Sequence, residues 1–184
     1  MNNQLLTGKL VRLAAPQTED AKALAEWSAD AEYQRLMEVH PVRPHNAKFF
    51  QARMERDLSE HFFVFSIRTL ADDEFIGDIL LMFVNHMHGD CLVGIGIGNR
   101  AYWGKGYGSD AMNVILRFAF QELNLHRVSL YALASNTRAL RSYEKCGFVH
   151  EGRIRGAEHR GARDDVAAMG VLRDEWLAKQ NGAR

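Results

Sequence analysis

The stretch GIGIGNRAYWGKGYGSDAM, residues Gly94 to Met112, has alternating glycines in an apolar segment and three more at Gly104, Gly106 and Gly108. Glycine loses more backbone freedom on folding than any other residue, so this density is costly to order. Glycine inside a strand suggests a bulge or a close backbone approach. Glycines just before a helix leave its first N–H groups open to an anion, and the helix end adds about half a positive charge. The stretch therefore predicts a strand, a glycine loop and a helix that bind a phosphate group without a metal.

Two other phosphate-binding motifs fail on spacing. A Walker A loop needs G-x-x-x-x-G-K-[ST], but Gly98 is one residue too far from Gly104, and Gly106 replaces the Ser or Thr that holds magnesium. The dinucleotide variant G-x-G-x-x-A fits the residues from Gly96 to Ala101. However, the predicted helix opens only after Gly106. A nucleotide-dependent kinase or NTPase is therefore disfavoured, while a helix entry with convenient glycines stays open from the motif alone.

The pattern around this stretch predicts a mixed α/β domain with one central sheet. Strands are predicted where β-branched and aromatic residues cluster, and helices where apolar residues recur every three to four positions. The predicted strands are Lys9–Ala14, His61–Thr69, Glu74–Val84, Cys91–Gly98, His126–Leu133, Phe148–Ala157 and Asp165–Leu172. The first predicted helix opens at Pro16–Thr18, and a second, short helix closes at Met37. Three further helices are predicted, from Asn46 to about Ser59, from Tyr107 to Leu123 and from Asn136 to Gly147.

Composition gives no indication of nucleic acid or membrane as a partner. The 184 residues fit one domain spanning residues 1–184, and Lys plus Arg equals Asp plus Glu at 23 each. No apolar run has the length of a signal peptide, or of the roughly 18 residues that a membrane span needs. Without an export signal, Cys91 and Cys146 are expected to be reduced core thiols of a cytoplasmic protein.

A second segment, HRVSLYALASNTRALRSYEKCGF at residues 126–148, gives the glycine loop its context. With GIGIGNRAYWGKGYGSDAM, the opening LTGKLVRLAAPQTEDAKALAEW and the ending MGVLRDEW, it resembles the GCN5-related N-acetyltransferase (GNAT) family, in particular its ribosomal-protein alanine acetyltransferase-like branch. The resemblance covers nearly the whole chain. It implies a single domain of the α+β class, with a central, mostly antiparallel twisted sheet that is splayed at a bulge and flanked by helices.

The resemblance implies an acetyl-CoA-dependent N-acetyltransferase in which a primary amine attacks the thioester directly. In the family, the loop R/Q-x-x-G-x-G/A binds the pyrophosphate of acetyl-CoA; residues 103–108 match it, with Trp103 in the Arg/Gln position. The family's glycine-bearing strand contacts the thioester carbonyl and the pantetheine arm. The cofactor-binding residues so implied are Ile97, Gly98, Trp103, Gly104, Lys105, Gly106, Tyr107, Gly108, Ser109, Asn136 and Tyr143.

Tyr143 and Asn136 are the catalytic residues that the resemblance implies. Tyr143 takes the position of the family's tyrosine, which assists the departing CoA thiolate. A phenol of pKa about 10 donating to a thiolate of pKa about 8.5 is uphill by about 2 kcal/mol, so a hydrogen bond describes its role better than full proton transfer. Asn136 caps its helix and, in the family, can also hold pantetheine or a water.

The general base stays open. Relatives in this branch often carry a glutamate where this chain has Leu92, two residues before the first glycine of the strand. The candidates are a water held by Asn136 and the side chains of Asp78, His86, His88 and Asp90. The segment HMHGDC matches no standard metal-ligand spacing, so no metal is expected.

The amine acceptor is open among protein N-termini, polyamines, amino acids and antibiotic amines. The segments expected to select it are Met37–Phe50, Asn85–Asp90 and Ala157–Asp165. Leu92 also motivates a different class of function, a non-catalytic acyl-CoA-binding sensor on the same fold. No nucleic acid or membrane partner is expected, and a homodimer stays open.

Overall fold

The computed structural model describes residues 5–37, 42–54, 60–159 and 163–182. Its strands are β1 (Val11–Ala14), β2 (Phe63–Thr69), β3 (Phe75–Asn85), β4 (Asp90–Ile97), β5 (Arg127–Leu133), β6 (Val149–His159) and β7 (Arg163–Leu172). Its helices are α1 (Asp20–Ser28), α2 (Ala31–Met37), α3 (Ala47–Met54), α4 (Tyr107–Arg117), α5 (Thr137–Cys146) and α6 (Arg173–Gly182). A short 3-10 turn, Arg100–Tyr102, precedes α4, and a π-helical turn, Phe118–Glu122, follows it.

All seven strands form one sheet in the order β1-β2-β3-β4-β5-β7-β6. Neighbouring strands are antiparallel except β4 and β5, which run parallel and pair only between residues 90–92 and 127–129. Beyond Leu92, β4 therefore separates from β5, and the sheet opens into a cleft. An irregularity of β3 between Met82 and Asn85, with Phe83 at φ 54°, lies opposite the start of β4. The mostly antiparallel, splayed sheet that the family resemblance implied is confirmed.

The predicted strands are all present, with ends shifted by one or two residues. The predicted helix Tyr107–Leu123 is α-helical only as far as Arg117. Helix α6 was not predicted, because among its described side chains Trp176 alone is buried and the apolar pattern is weak. Helix α3 ends at Met54, and the rest of the predicted helix, residues 55–59, lies outside the described residues.

Helix α4 packs against β1, β3 and β4 and fills one face of the sheet. The apolar positions that predicted this helix are all buried: Ala111, Val114, Ile115, Phe118 and Ala119. The Asp110 carboxylate fixes the start of α4 to β1, because it accepts the N–H groups of Lys9, Leu10 and Val11 at 3.1, 2.7 and 3.0 Å. These bonds set the position of the helix end that faces the cleft.

Helices α1 and α2 cover the opposite face of β4. A Cβ added at Gly98 would lie 2.0 Å from Trp27 Cδ2, and one at Gly96 would lie 2.4 Å from Tyr33 Oη. The intervening Ile97 faces α4, since its Cγ1 lies 3.7 Å from a Cβ built on Gly108. The strand glycines therefore let two aromatic side chains lie directly on the backbone.

Within the described ranges, no helix has the length and apolar character that a membrane crossing requires.

Candidate functional site

The glycine loop joins β4 to α4 through two residues with left-handed backbone conformation, Gly104 at φ 72° and Gly106 at φ 91°. A Cβ added at Gly104 would have no atom within 4 Å, so glycine is favoured there by conformation and not by lack of space. Gly106 is the residue just before α4, and no described side chain caps the helix. The first N–H groups of α4 are therefore open to an anion in the space above the loop.

A cleft of about 420 Å³ runs from this loop, between the open edge of β4 and the α5 segment, to helix α2. Its β4 wall is formed by Ile95 and Ile97. The loop and α4 contribute Tyr102, Trp103, Gly104, Gly106, Gly108 and Ser109. The α5 segment contributes Asn136, Thr137, Arg138, Ala139, Arg141, Ser142, Tyr143 and Lys145. Helix α2 contributes Tyr33, Leu36 and Met37.

Most of the predicted cofactor-binding residues meet in this cleft: Ile97, Trp103, Gly104, Gly106, Gly108, Ser109, Asn136 and Tyr143. Lys105 does not line it and is exposed. Tyr107 turns its ring towards Tyr102, edge-on with the centroids 4.8 Å apart, and packs against the core. The side chains of Lys105 and Tyr107 therefore lie outside the cleft.

Gly98 departs from the prediction. Its N–H donates to the Ile76 carbonyl at 3.0 Å and is used inside the sheet, so it is not available to a thioester. Backbone groups alternate between the two edges of a strand, so the peptide groups of Ile97 face the open edge. The Trp103 Nε1–H confirms this orientation, because it reaches the Ile97 carbonyl from that side at 2.6 Å. Ile97 N–H is thus a backbone donor that faces the cleft.

Helix α5 places Tyr143 and Asn136 along the cleft. Asn136 Oδ1 accepts the Ala139 N–H at 3.2 Å and Gly147 ends the helix at φ 107°, as the sequence predicted. A hydrogen bond of 2.7 Å between the hydroxyls of Ser109 and Ser142 ties α5 to the start of α4. The glycine loop and α5 are therefore fixed to each other.

Tyr143 is half-buried and its ring contacts Phe148 edge-on, with centroids 6.0 Å apart. Desolvation, with a smaller contribution from Cys146, raises the pKa of Tyr143 to about 12. The phenol is consequently neutral, and a hydrogen-bond donor, at any physiological pH. This is the protonation state that assistance to a departing thiolate needs.

Three of the candidate bases lie away from the cleft. His86 and His88 are exposed in the turn between β3 and β4, at the end of β4 opposite to the glycine loop. Asp90 lies where β4 and β5 are still paired. Asp78 lies opposite Gly96 on β3, so its side chain is on the same face of the sheet as Tyr33 and Met37, although it does not itself line the cleft. Among the described residues, none of the side chains that line the cleft is a carboxylate or an imidazole.

Among the cleft residues that were not predicted are Tyr33 and Leu36 of α2 and Arg138 of α5, whereas Met37 opens a segment that was expected to select the acceptor. The glycines of β4 indicate that something lies flat on the strand, but only the fold shows that α2 does so. Arg138 follows the helix cap without any distinguishing pattern. Of the segments expected to select the acceptor, residues 38–41 and 160–162 lie outside the described residues. Within the described ranges, no cluster of three or more His, Cys, Asp or Glu residues could hold a metal ion.

Comparison with known proteins gives the family. The family model described as acetyltransferase (GNAT) domain matches residues 11–149. The uncharacterized N-acetyltransferase p20 of Bacillus licheniformis is 28% identical over 163 residues, which cover 87% of this chain and 91% of that protein. The spermidine N(1)-acetyltransferase of Vibrio cholerae is 33% identical over 110 residues, which cover 58% of this chain and 62% of that protein. The ribosomal-protein alanine acetyltransferase-like branch stays a prediction.

A solved structure shows the same fold. The crystal structure of spermidine N-acetyltransferase from Vibrio cholerae in complex with CoA and spermine superimposes with a TM-score of 0.82 at 23% identity, covering 91% of this chain and 98% of that one. The family match agrees with the glycine loop, the split sheet and the tyrosine-bearing helix described above. The chain belongs to the GNAT acetyltransferase family and is an N-acetyltransferase.

Proposed function

We propose that this enzyme acetylates a primary amine by direct attack of the bound amine on acetyl-CoA, without an acetylated enzyme intermediate. The observation that carries the proposal is the continuous cleft from the glycine loop to α2, because it gives donor and acceptor a common meeting point beside Tyr143. The thioester of acetyl-CoA supplies the activated acetyl group. The residues of the chain bind it, orient it and accommodate the charges that develop.

The glycine loop fits the pyrophosphate of coenzyme A. Gly104 and Gly106 hold the left-handed conformation that directs backbone N–H groups towards one point, and the space beside Gly104 is open. The uncapped start of α4 adds further donors and a positive partial charge. On the open edge of β4, Ile97 N–H is the donor for the thioester oxygen, where a fixed dipole stabilises developing negative charge.

The side chains of Tyr143 and Cys146 favour direct attack by the amine over a mechanism with an acetylated enzyme. Tyr143 retains its proton and donates a hydrogen bond to the sulfur as the carbon–sulfur bond breaks. Cys146 is buried, and burial raises the pKa of its thiol to about 11. Because the thiolate is the nucleophilic form, a thiol with so high a pKa is a poor acetyl acceptor. The amine nitrogen therefore attacks the thioester itself.

The amine must lose a proton before it attacks. Deprotonating an alkylammonium at neutral pH costs roughly 4–5 kcal/mol, so a route to solvent lowers the barrier. We assign this route to a water at Asn136, whose Oδ1 accepts the Ala139 N–H and keeps a second lone pair. The absence of carboxylate and imidazole groups among the described cleft-lining side chains supports this choice.

The α2 end of the cleft supports an acceptor whose amine is attached to an apolar group. Its described lining there is Tyr33, Leu36 and Met37. Two carboxylates at the start of α2 are already engaged, since the Arg100 guanidinium binds both Asp30 and Glu32 at 2.6–2.7 Å. Hydrogen bonds from Arg100 are the main reason that the pKa of Asp30 falls to about 2. A polycation would have to displace this arginine.

The test is the release of CoA thiol from acetyl-CoA with 2-phenylethylamine, an alanine-initiated peptide and spermidine as acceptors. We expect turnover with the first two, and a kcat/KM for 2-phenylethylamine about tenfold above that for spermidine. Leu36→Glu should shift the ratio towards spermidine, because it places a carboxylate on the apolar wall. A preference of the unmodified enzyme for spermidine would refute the proposed acceptor class. CoA binding without turnover on any primary amine would refute amine transfer and favour a sensor.

A further inference from the structure

Two guanidinium groups flank the indole of Trp103 at the edge of the cleft, next to Gly104. The Cζ of Arg138 lies 4.0 Å from the ring centroid, and the Cζ of Arg100 lies 5.1 Å from it. The indole is itself fixed, because its Nε1–H donates to the Ile97 carbonyl at 2.6 Å. A flat cation against a fixed aromatic face is held by cation–π attraction. Both arginine side chains are therefore held in place at this edge of the cleft.

The two arginines differ in what balances their charge. Arg100 donates to both oxygens of Asp30 and to Glu32, so carboxylates neutralise it. Arg138 makes no ion pair or hydrogen bond with any of the residues that the structure describes, although it lines the cleft. Its charge is thus uncompensated, and its side chain has already lost part of the freedom that binding an anion would cost.

Arg138 is the first of three cations on one face of α5. Arg141 and Lys145 follow at helical spacing and also line the cleft. The glycine loop lies opposite this row, since the bond between Ser109 and Ser142 holds α4 and α5 together at 2.7 Å. One wall of the cleft therefore offers backbone N–H groups, and the other offers side-chain cations.

We propose that Arg138, ordered by Trp103, binds the diphosphate of acetyl-CoA and supplies a side-chain cation that the glycine loop does not provide. This inference rests on the proposed function, because it takes acetyl-CoA as the ligand of the cleft. Trp103 has no donor left for a phosphate, since its single N–H is used by Ile97. The guanidinium fork matches two phosphate oxygens. The position of Trp103 beside Gly104 assigns Arg138 to the diphosphate and not to the 3′-phosphate.

Titration calorimetry with three ligands tests the assignment: CoA, dephospho-CoA, which lacks the 3′-phosphate, and pantetheine, which lacks all phosphates. Arg138→Gln should raise the Kd for CoA and for dephospho-CoA alike by about tenfold, the size expected for one charge-assisted contact at a partly exposed site. The Kd for pantetheine should not change. Arg53→Gln is the matched control, because Arg53 is exposed on α3 and does not line the cleft.

The role of Trp103 as a positioning residue has its own readout. Trp103→Leu should weaken CoA binding, and the double variant with Arg138→Gln should bind about as weakly as Arg138→Gln alone. Pantetheine should again bind all variants equally. Additive losses would show that the indole does not act through Arg138 and would overturn this part of the inference.

The remaining outcomes separate this inference from the proposed function. If the unmodified enzyme does not bind CoA, the proposed function fails. If it binds CoA and Arg138→Gln has no effect, the role of Arg138 is overturned while the function stands. A loss confined to CoA and absent with dephospho-CoA would place Arg138 on the 3′-phosphate and contradict the diphosphate assignment. An equal loss for pantetheine would mean a general structural effect, which also overturns the inference.

Discussion

Burial decides the chemistry of one side chain in the cleft and of two thiols in the core. Desolvation raises the pKa of Tyr143 to about 12, of Cys146 to about 11 and of Cys91 to about 12. All three groups keep their protons at neutral pH. The same physical effect therefore makes the tyrosine a hydrogen-bond donor and the cysteines unreactive. The sequence identified both cysteines as core thiols, which their burial confirms.

Tyr143→Phe should lower kcat by about a hundredfold and change the Kd for acetyl-CoA little, because the hydroxyl acts on the charge that develops on sulfur. In the unmodified enzyme, the raised pKa means that Tyr143 should cause no loss of rate between pH 9 and about 11. Steady-state rates and calorimetry over this range check both statements. A fall in affinity equal to the fall in kcat would instead indicate a binding role.

The two cysteine thiols should be unreactive in the native protein. At pH 8, Ellman's reagent should react slowly with the folded chain and release two equivalents only after denaturation, matching Cys91 and Cys146. Since both folded-state pKa values lie above the ordinary value of 9.0, their contribution to stability is present below pH about 9 and is lost as pH rises towards 11–12. Urea denaturation at pH 8 and pH 10.5 should show the decline. Rapid native labelling of either thiol would contradict the described burial.

Strand β4 shows both what the sequence could predict about the packing of an element and what it could not. Its alternating glycines predicted a close approach, and Trp27 and Tyr33 provide it. The identity of the approaching helix could not be predicted, because it depends on contacts between segments far apart in the chain. Gly98 was expected to bind the cofactor, but its N–H donates to β3, because the edge of the strand that this N–H faces is set by the pairing of β4 with β3.

Two glycines of this strand make a matched pair. Gly96→Ala would bring a Cβ to 2.4 Å from Tyr33 Oη, and we expect a loss of about 1–3 kcal/mol in the free energy of unfolding. Gly94→Ala would meet only the ends of Leu80 and Met82, at 3.2 and 3.3 Å, so its cost should be well under 1 kcal/mol. Urea denaturation of both variants measures the difference. Equal losses would contradict the close packing of α2 on β4.

At the scale of the whole molecule, the function depends on the split between β4 and β5. The sequence analysis predicted the two halves of the site separately, as the glycine loop before α4 and the tyrosine on α5. Their meeting follows from the parallel pairing of β4 with β5, which stops after Leu92. No local pattern marks where a parallel ladder ends, so the resemblance to the family was needed to expect it. The acceptor end, formed by α2, had no comparable signal.

The central claim, direct transfer inside this cleft, is tested by initial rates of CoA release measured while acetyl-CoA and a primary amine are both varied. Direct attack needs both substrates bound at once, so double-reciprocal plots should intersect, and mass spectrometry after incubation with acetyl-CoA alone should show unmodified protein. Parallel lines together with an acetylated enzyme would contradict the account, because they would require a covalent intermediate on the chain.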